Sequence, residues 1–224
     1  FMDLKSRDGK AGGGFCTAFP AVGMPFIFAN FNGTKGDVEV FTHEIGHAFQ
    51  CYCSRELPQF DYFWPTYESC EIHSMGLEFL TWGHMEKFFG DDGQRFRNIH
   101  LAQSLLFLPY GVAVDHFQHL VYAKPDATPS QRHAMWQEME QIYLPHRNWH
   151  DLAYPDKGGR WQHQRHIYLN PFYYIDYTLA QCCALQFWLR SEENFAQAME
   201  DYVALCRRGG EAPFRELATS AGLA

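Results

Sequence analysis

Short, mostly apolar runs near the start of the chain are followed by longer segments in which hydrophobic and polar residues have a helical spacing. Phe15–Phe19 and residues 26–31 are short, aromatic-rich runs typical of strands, and an Asn-Gly pair after the second run favours a tight turn. The polar, glycine-rich residues 1–14 are predicted to form a loop. A helix is predicted over residues 37–55, because Asp37 can cap its start.

The rest of the chain shows the spacing of amphipathic helices, interrupted by proline and glycine. Thr128 and Gln131 match a capping box, and Ser191 can cap the last long helix. The predicted helices cover residues 66–89, 93–108, 110–124, 129–144, 171–190 and 191–208, and Pro109 separates the second from the third. Residues 145–165 are predicted to be irregular. The pattern therefore indicates a mostly α fold, with a small β element before the first long helix.

Composition narrows the classes of function. The 224 residues are 46% hydrophobic and carry a formal net charge of −8, so a nucleic-acid partner is not favoured. No apolar run reaches the ~18 residues of a membrane span, and the first residues lack a signal-peptide pattern. The odd number of cysteines, seven, favours free thiols and a cytoplasmic location. The chain begins with Phe1, and we expect it to be a segment of a longer protein.

The helix predicted over residues 37–55 contains the sequence His-Glu-Ile-Gly-His. Residues four apart share a helical face, so His43 and His47 can hold one metal ion together. Glu44 lies one step further round, where its carboxylate can reach a water molecule on that metal. This is the H-E-x-x-H signature of zinc hydrolases, which need a third protein ligand from elsewhere.

The next predicted helix offers the third ligand. An antiparallel pair of helices would bring it opposite the two histidines. Its candidates are Glu68, Glu71, His73 and Glu78. Spacing makes Glu71 only modestly better than the other two carboxylates, and Glu78 can alternatively orient a ligand histidine.

Several motifs together resemble the thimet oligopeptidase and oligoendopeptidase F family of zinc peptidases, and the fit is closest to oligoendopeptidase F. The matching segments are residues 43–50, 71–78, 25–33, 107–112 and 171–177. The resemblance implies a mostly α, zincin-like catalytic domain over residues 1–224. It also implies one zinc ion on His43, His47 and Glu71, with Ser74 and Glu78 at matching family positions. Members of this family are longer, so the resemblance implies that an N-terminal helical portion precedes this segment and completes the cleft.

The resemblance also implies the reaction, which is hydrolysis of internal bonds in short peptides. Zinc would activate a water molecule, and Glu44 would act as general base. Tyr174 and Tyr177 reproduce the spacing of two family tyrosines that bind substrate and stabilise the oxyanion. His166 matches the family histidine with a shift of about one residue, and the strand at residues 26–31 would pair with the substrate backbone.

Two other functions stay open at this point. A zinc carboxypeptidase of related helical architecture would need a group for the substrate's terminal carboxylate, such as His166 or Arg165. A zinc-holding, peptide-binding fragment with little activity is the second alternative. Glu44 argues against the fragment, because a binding protein has no use for a general base beside the metal.

Overall fold

The computed structural model describes residues 1–223, and it confirms a mostly α fold with a small sheet. Short 3₁₀ segments connect several of the elements. The strands are β1 (Met2–Lys5), β2 (Phe15–Phe19) and β3 (Met24–Phe31), and the helices are α1 (Lys35–Ser54), α2 (Tyr67–Leu80), α3 (Glu86–Phe89), α4 (Gly93–Ala123), α5 (Pro129–Tyr143), α6 (Ala153–Asp156), α7 (His166–Leu169), α8 (Tyr174–Arg208) and α9 (Phe214–Ser220).

The three strands form one sheet in the order β1-β3-β2. Strand β2 pairs antiparallel with β3, and β1 pairs parallel with it. Strand β1 lies where the sequence predicted a loop. Lys10, a residue outside the strand, adds to its contacts, because its ammonium group donates to the backbone carbonyls of Asp3 and Lys5, each at 3.0 Å. A four-residue strand held by such contacts has no strong local pattern, which explains why the sequence did not reveal it.

Helices α1 and α2 form the antiparallel pair that the sequence predicted. The order of contacts shows the direction, because His43 meets Glu78 while His47, later on α1, meets Glu71, earlier on α2. Gly46 permits the close approach. A Cβ atom at this position would lie only 2.4 Å from the His73 carbonyl oxygen.

Several helix boundaries differ from the prediction. Helix α2 ends at Leu80 rather than at residue 89, and Trp82–His84 continues as a 3₁₀ turn. Pro109 lies inside α4 rather than between two helices. Burial of Val114 and Phe117 further along α4 outweighs the roughly 3 kcal/mol cost of an internal proline, because each such side chain contributes about 1.5–3 kcal/mol.

Ser191 does not begin a new helix, because its hydroxyl donates to the Trp188 carbonyl oxygen at 2.7 Å. The break in α8 comes at Asn194, whose backbone is not helical. The Asn194 side chain accepts a hydrogen bond from the Gln197 amide at 3.2 Å, as a cap does. The capping box at Thr128 and Gln131 is confirmed at the start of α5.

The chain divides into two compact units. The first comprises Phe1–His100 and the described residues from Ala180 onward, and the second comprises Leu101–Leu179. The first has a core around Ile72, Phe79, Phe187, Tyr202 and Leu217, and the second has a core around Val114, Phe117, Trp136, Met139 and Trp161. Among residues 1–223, no helix is both long and apolar enough to cross a membrane.

Candidate metal centre

Two histidines of α1 and one carboxylate of α2 meet in the first unit. Glu71 Oε2 lies 3.2 Å from His43 Nε2 and 3.4 Å from His47 Nε2. The donor atoms of these three residues all lie within 4.8 Å of one another. The structure therefore brings together the three residues that the sequence and the family resemblance selected.

The donor set and its spacing fit a zinc ion. Two nitrogens and one carboxylate oxygen are common ligands of catalytic zinc, and tetrahedral bonds of ~2.0–2.1 Å place neighbouring donors about 3.3 Å apart. The two nitrogen–oxygen distances, 3.2 and 3.4 Å, agree with that value. Three such donors also leave a fourth position for water or substrate.

Glu71 is held ionised at this point. It is 2% exposed, and the Ser74 hydroxyl donates to its Oε2 at 2.7 Å. Burial by itself opposes ionisation, but the neighbouring His47 and His43 outweigh it and hold the pKa of Glu71 well below its usual range. Ser74 and Glu71 are thus hydrogen-bonded to each other, at the positions that the family resemblance indicated.

Glu44 is the carboxylate that remains without a partner. Its side chain is 6% exposed, and Oε2 is buried with no hydrogen-bond partner among the described residues. Burial raises the pKa of Glu44 above its usual value, although the nearby histidines oppose the shift. An unpartnered, buried carboxylate next to three metal-type ligands is a group available for proton transfer.

The second ring nitrogens of His43 and His47 also have polar contacts. His43 Nδ1 donates to Glu78 Oε1 at 2.7 Å, and His47 Nδ1 lies 3.4 Å from the Cys70 thiol. Both contacts leave Nε2 directed to Glu71. Burial raises the pKa of the Cys70 thiol well above its usual value, so Cys70 stays a neutral thiol.

The other candidates for third ligand lie elsewhere. Glu68 is half-buried on α2, His73 is completely buried, and neither is part of the group. His73 Nδ1 lies 3.5 Å from the Cys206 thiol, and burial, reinforced by His47, lowers the pKa of His73 to about 3. His73 is therefore a neutral core residue.

Two further residues contact this site without having been predicted from the sequence. Neither Cys70 nor His100 was assigned a contact with it, yet Cys70 contacts His47, and His100 Nε2 lies 2.7 Å from Glu78 Oε2. No local signal marks either residue. The register of α1 on α2 places Cys70, and folding of the start of α4 against α2 places His100.

The remaining catalytic candidates lie together in the second unit. The His166 ring centroid is 5.2 Å from that of Tyr174 and 5.7 Å from that of Tyr177, and the two tyrosine rings are 5.5 Å apart. Gln164 lies beside them, with its amide nitrogen 2.6 Å from His166 Nδ1 and its oxygen accepting from the Tyr110 hydroxyl at 2.8 Å. The structure brings the three predicted residues into one cluster. Their catalytic role stays a prediction.

Strand β3 cannot pair with a substrate as predicted for residues 26–31. It is the central strand, with β1 on one side and β2 on the other. The outer edge of β2 faces no other described strand. Gly14 immediately precedes β2, and a Cβ atom there would lie 3.4 Å from Glu44 Oε1, so the start of β2 passes beside the Glu44 carboxylate.

The fold and the site together define a mostly helical, zincin-like peptidase domain. The sequence profile of peptidase family M3 matches residues 1–224. The chain belongs to peptidase family M3. No curated protein matches the chain at a significant level.

Solved structures support the same assignment. The chain is 54% identical to the protein in a structure described as PZ peptidase A with inhibitor 2, with a TM-score of 0.97. The match covers 100% of this chain and 40% of that one. A protein assigned as an oligoendopeptidase F is 58% identical, with a TM-score of 0.97 and the same two shares. Another, from Bacillus anthracis str. Ames, is 50% identical with a TM-score of 0.88, covering 100% of this chain and 37% of that one. The resemblance to oligoendopeptidase F is thereby confirmed, and the chain spans about 40% of the length of these proteins.

Proposed function

We propose that this chain is the catalytic part of a zinc metalloendopeptidase that hydrolyses internal bonds of short peptides. The observation that carries the proposal is the buried, unpartnered carboxylate of Glu44 beside His43, His47 and Glu71. The names of the similar structures, oligoendopeptidase F among them, support the substrate class. Because those chains are longer, the remainder of the polypeptide is the proposed second wall of the cleft.

His43, His47 and Glu71 would hold one zinc ion through Nε2, Nε2 and Oε2. Bound there, zinc would supply Lewis acidity, which polarises a substrate carbonyl and lowers the pKa of a water molecule towards ~7. The chain's own contribution is to hold the donors in place. The Ser74 hydroxyl donates to Glu71 and favours its ionised form, and Glu78 accepts from His43 Nδ1 and so orients the His43 ring.

Glu44 is the proposed general base and acid. It takes a proton from the attacking water and then gives it to the leaving amine, so that the peptide C–N bond breaks with a neutral amine product. Burial suits this role because it raises the pKa of the carboxylate above its usual value and so favours uptake of a proton. Oε2 has no competing hydrogen bond within the described residues.

The outer edge of β2 is the proposed binding surface for the substrate backbone. An extended peptide on this edge would gain main-chain hydrogen bonds, which tolerate many side chains. Its position beside Gly14 and Glu44 supports β2 in place of β3. Replacing single substrate amides by N-methyl amides should weaken binding at alternate positions only, because alternate amides of a strand face its neighbour.

Tyr174, Tyr177 and His166 are the proposed donors to the substrate oxyanion, with the two tyrosines assigned the main part. The support is their mutual proximity and their match to the family segment. A cytoplasmic location, a single catalytic domain over residues 1–224 and the zinc identity of the metal also stay predictions. Elemental analysis of the purified protein tests the metal.

The central experiment replaces Glu44 by glutamine. Glu44→Gln should keep zinc and lose about 10²–10⁴-fold in kcat on a quenched fluorescent peptide, the usual contribution of a general base. Glu68→Gln on α2 is the matched control and should keep both zinc and activity. Glu71→Gln should lose zinc. Full activity of Glu44→Gln with bound zinc would remove the general-base role.

Blocked peptides separate the proposal from its alternatives. A peptide with an acetylated N-terminus and an amidated C-terminus should still be cleaved at an internal bond. Cleavage only of peptides with a free C-terminal carboxylate would instead show a carboxypeptidase. Zinc and peptide binding without any cleavage would show a binding fragment.

A further inference from the structure

A chain of hydrogen bonds continues outward from the candidate metal centre, within the first unit. Trp82 Nε1 donates to His100 Nδ1 at 3.0 Å, and His100 Nε2 lies 2.7 Å from Glu78 Oε2. The other oxygen of Glu78 accepts from His43 Nδ1 at 2.7 Å. Three short contacts thus connect an indole to a proposed zinc ligand.

The chemistry of the groups fixes the direction of each bond. An indole N–H can only donate, so His100 Nδ1 must accept and the ring proton of His100 lies on Nε2. That proton is donated to Glu78, which as a carboxylate accepts from both sides. His43 must therefore donate through Nδ1, which leaves its Nε2 lone pair for a metal beside Glu71.

Packing holds the His100 ring, in the middle of this series of hydrogen bonds, in one orientation. His100 is 5% exposed, and its ring packs against the Phe79 ring, with centroids 4.9 Å apart, and against the Phe96 ring, with centroids 5.6 Å apart. Trp82 is 8% exposed. The His100 ring cannot turn to exchange its nitrogens without displacing these neighbours, so a carboxylate bonded to it is also held in place.

We propose that Trp82 and His100 are positioning residues for the zinc ligand His43, which they act on through Glu78. They keep the Glu78 carboxylate aligned, and the carboxylate keeps the His43 proton on Nδ1 and the ring plane directed to the metal. This inference rests on the proposed zinc site. It goes beyond that site by assigning a role to two residues outside the proposed set of ligands.

The chain offers a matched pair of variants for the test. Trp188 packs on the same aromatic cluster, with its ring centroid 5.3 Å from that of Trp82, and its buried Nε1 has no hydrogen-bond partner among the described residues. Trp82→Phe and Trp188→Phe therefore remove similar ring area, but only Trp82→Phe removes a hydrogen bond to His100. A purely structural role of the cluster would affect both variants alike.

The experiment measures zinc affinity by competition with a chelating dye, on the intact protein, with thermal unfolding as a check of folding. Trp82→Phe should bind zinc about fivefold more weakly, the effect of one ordinary hydrogen bond, and Trp188→Phe should match the parent. His100→Leu should lose roughly 10–100-fold, as changes to partners of ligand histidines do. His100→Gln, which can still donate to Glu78, should stay closer to the parent than His100→Leu.

A spectroscopic measurement tests the hydrogen-bond directions independently of affinity and activity. Long-range ¹H–¹⁵N correlation on the zinc-loaded parent should show the His100 proton on Nε2. A proton on Nδ1 would overturn the proposal, as would equal zinc affinities of Trp82→Phe and Trp188→Phe. A parent protein that binds no zinc would instead refute the proposed zinc site, and this inference with it.

Discussion

Replacing Gly46 by alanine places a methyl group where α1 and α2 touch. A Cβ atom at Gly46 would lie 2.4 Å from the His73 carbonyl oxygen and 2.6 Å from the Ser74 Cα atom. Both are backbone atoms of α2, so no side chain can rotate away. Since non-bonded heavy atoms prefer about 3.5 Å or more, the two helices must separate locally by roughly 1 Å.

Gly46→Ala should change the free energy of unfolding only modestly and the zinc affinity strongly. Overpacking costs about 1–3 kcal/mol in the free energy of unfolding, and replacing glycine within a helix returns about 1 kcal/mol. The metal site tolerates less, because ligand distances must hold to about ±0.2 Å. His43 and His47 lie on α1 and Glu71 lies on α2, so a separation of roughly 1 Å opens the donor set. We expect zinc affinity to fall by at least about 10²-fold. This equals or exceeds the loss caused by removing a residue that hydrogen-bonds to a metal ligand.

Gly76→Ala is the matched control, since Gly76 is also a helix glycine in this pair. A Cβ atom there would lie 3.5 Å from Phe187 Cδ2 and 3.6 Å from Tyr202 Cε2, which are ordinary contacts with side chains. Gly76→Ala should keep the parent zinc affinity and gain up to about 1 kcal/mol of stability. Urea unfolding of the metal-free protein and dye competition for zinc measure both effects. Parent-like affinity of Gly46→Ala would refute the argument that this helix contact sets the ligand spacing.

Three further predictions concern the second unit and the sheet. Tyr177→Phe should lower kcat/KM by an amount equivalent to about 2.7–4 kcal/mol, and an unchanged kcat/KM would remove Tyr177 from the oxyanion role. Lys10→Met should remove the hydrogen bonds from the ammonium group to the Asp3 and Lys5 carbonyl oxygens, so the β1 amides should exchange with solvent faster while those of α1 do not; equal exchange in both would contradict this. Hydrogen bonds from Arg7 and Lys10 lower the pKa of Asp3 to about 2, so its contribution to β1 is present above its ordinary pKa of 3.8 and is lost as the pH falls through about 2. An NMR titration of the Asp3 carboxyl group with a midpoint near 3.8 would show that the contact does not form.

The sequence by itself determined the chemistry of α1. Helical periodicity put His43 and His47 on one face, and the position of Glu44 between them followed from the same geometry. The pairs of neighbouring side chains that the sequence predicted well are three or four positions apart, and the capping box at Thr128 is one of them. Such contacts form within one helix and need no information from the rest of the chain.

Selecting Glu71 needed more than spacing. From the residues alone, Glu68, Glu71 and Glu78 were nearly equivalent, and only the family resemblance favoured one of them. The structure brings Glu71 to the histidines and sends Glu78 to the far side of His43. The register of α2 on α1 makes this choice, and the absence of a side chain at Gly46 permits the close approach of the two helices.

Tertiary structure alone decided the contacts between distant segments. Trp82 and His100 lie 18 residues apart, and nothing in their local sequence indicates that both connect to His43. Strand β1 pairs with β3 and accepts hydrogen bonds from Lys10, and Pro109 stays within a helix because the residues after it are buried. In each case the deciding energy comes from burial or hydrogen bonding with a partner far along the chain, so a local pattern cannot predict it.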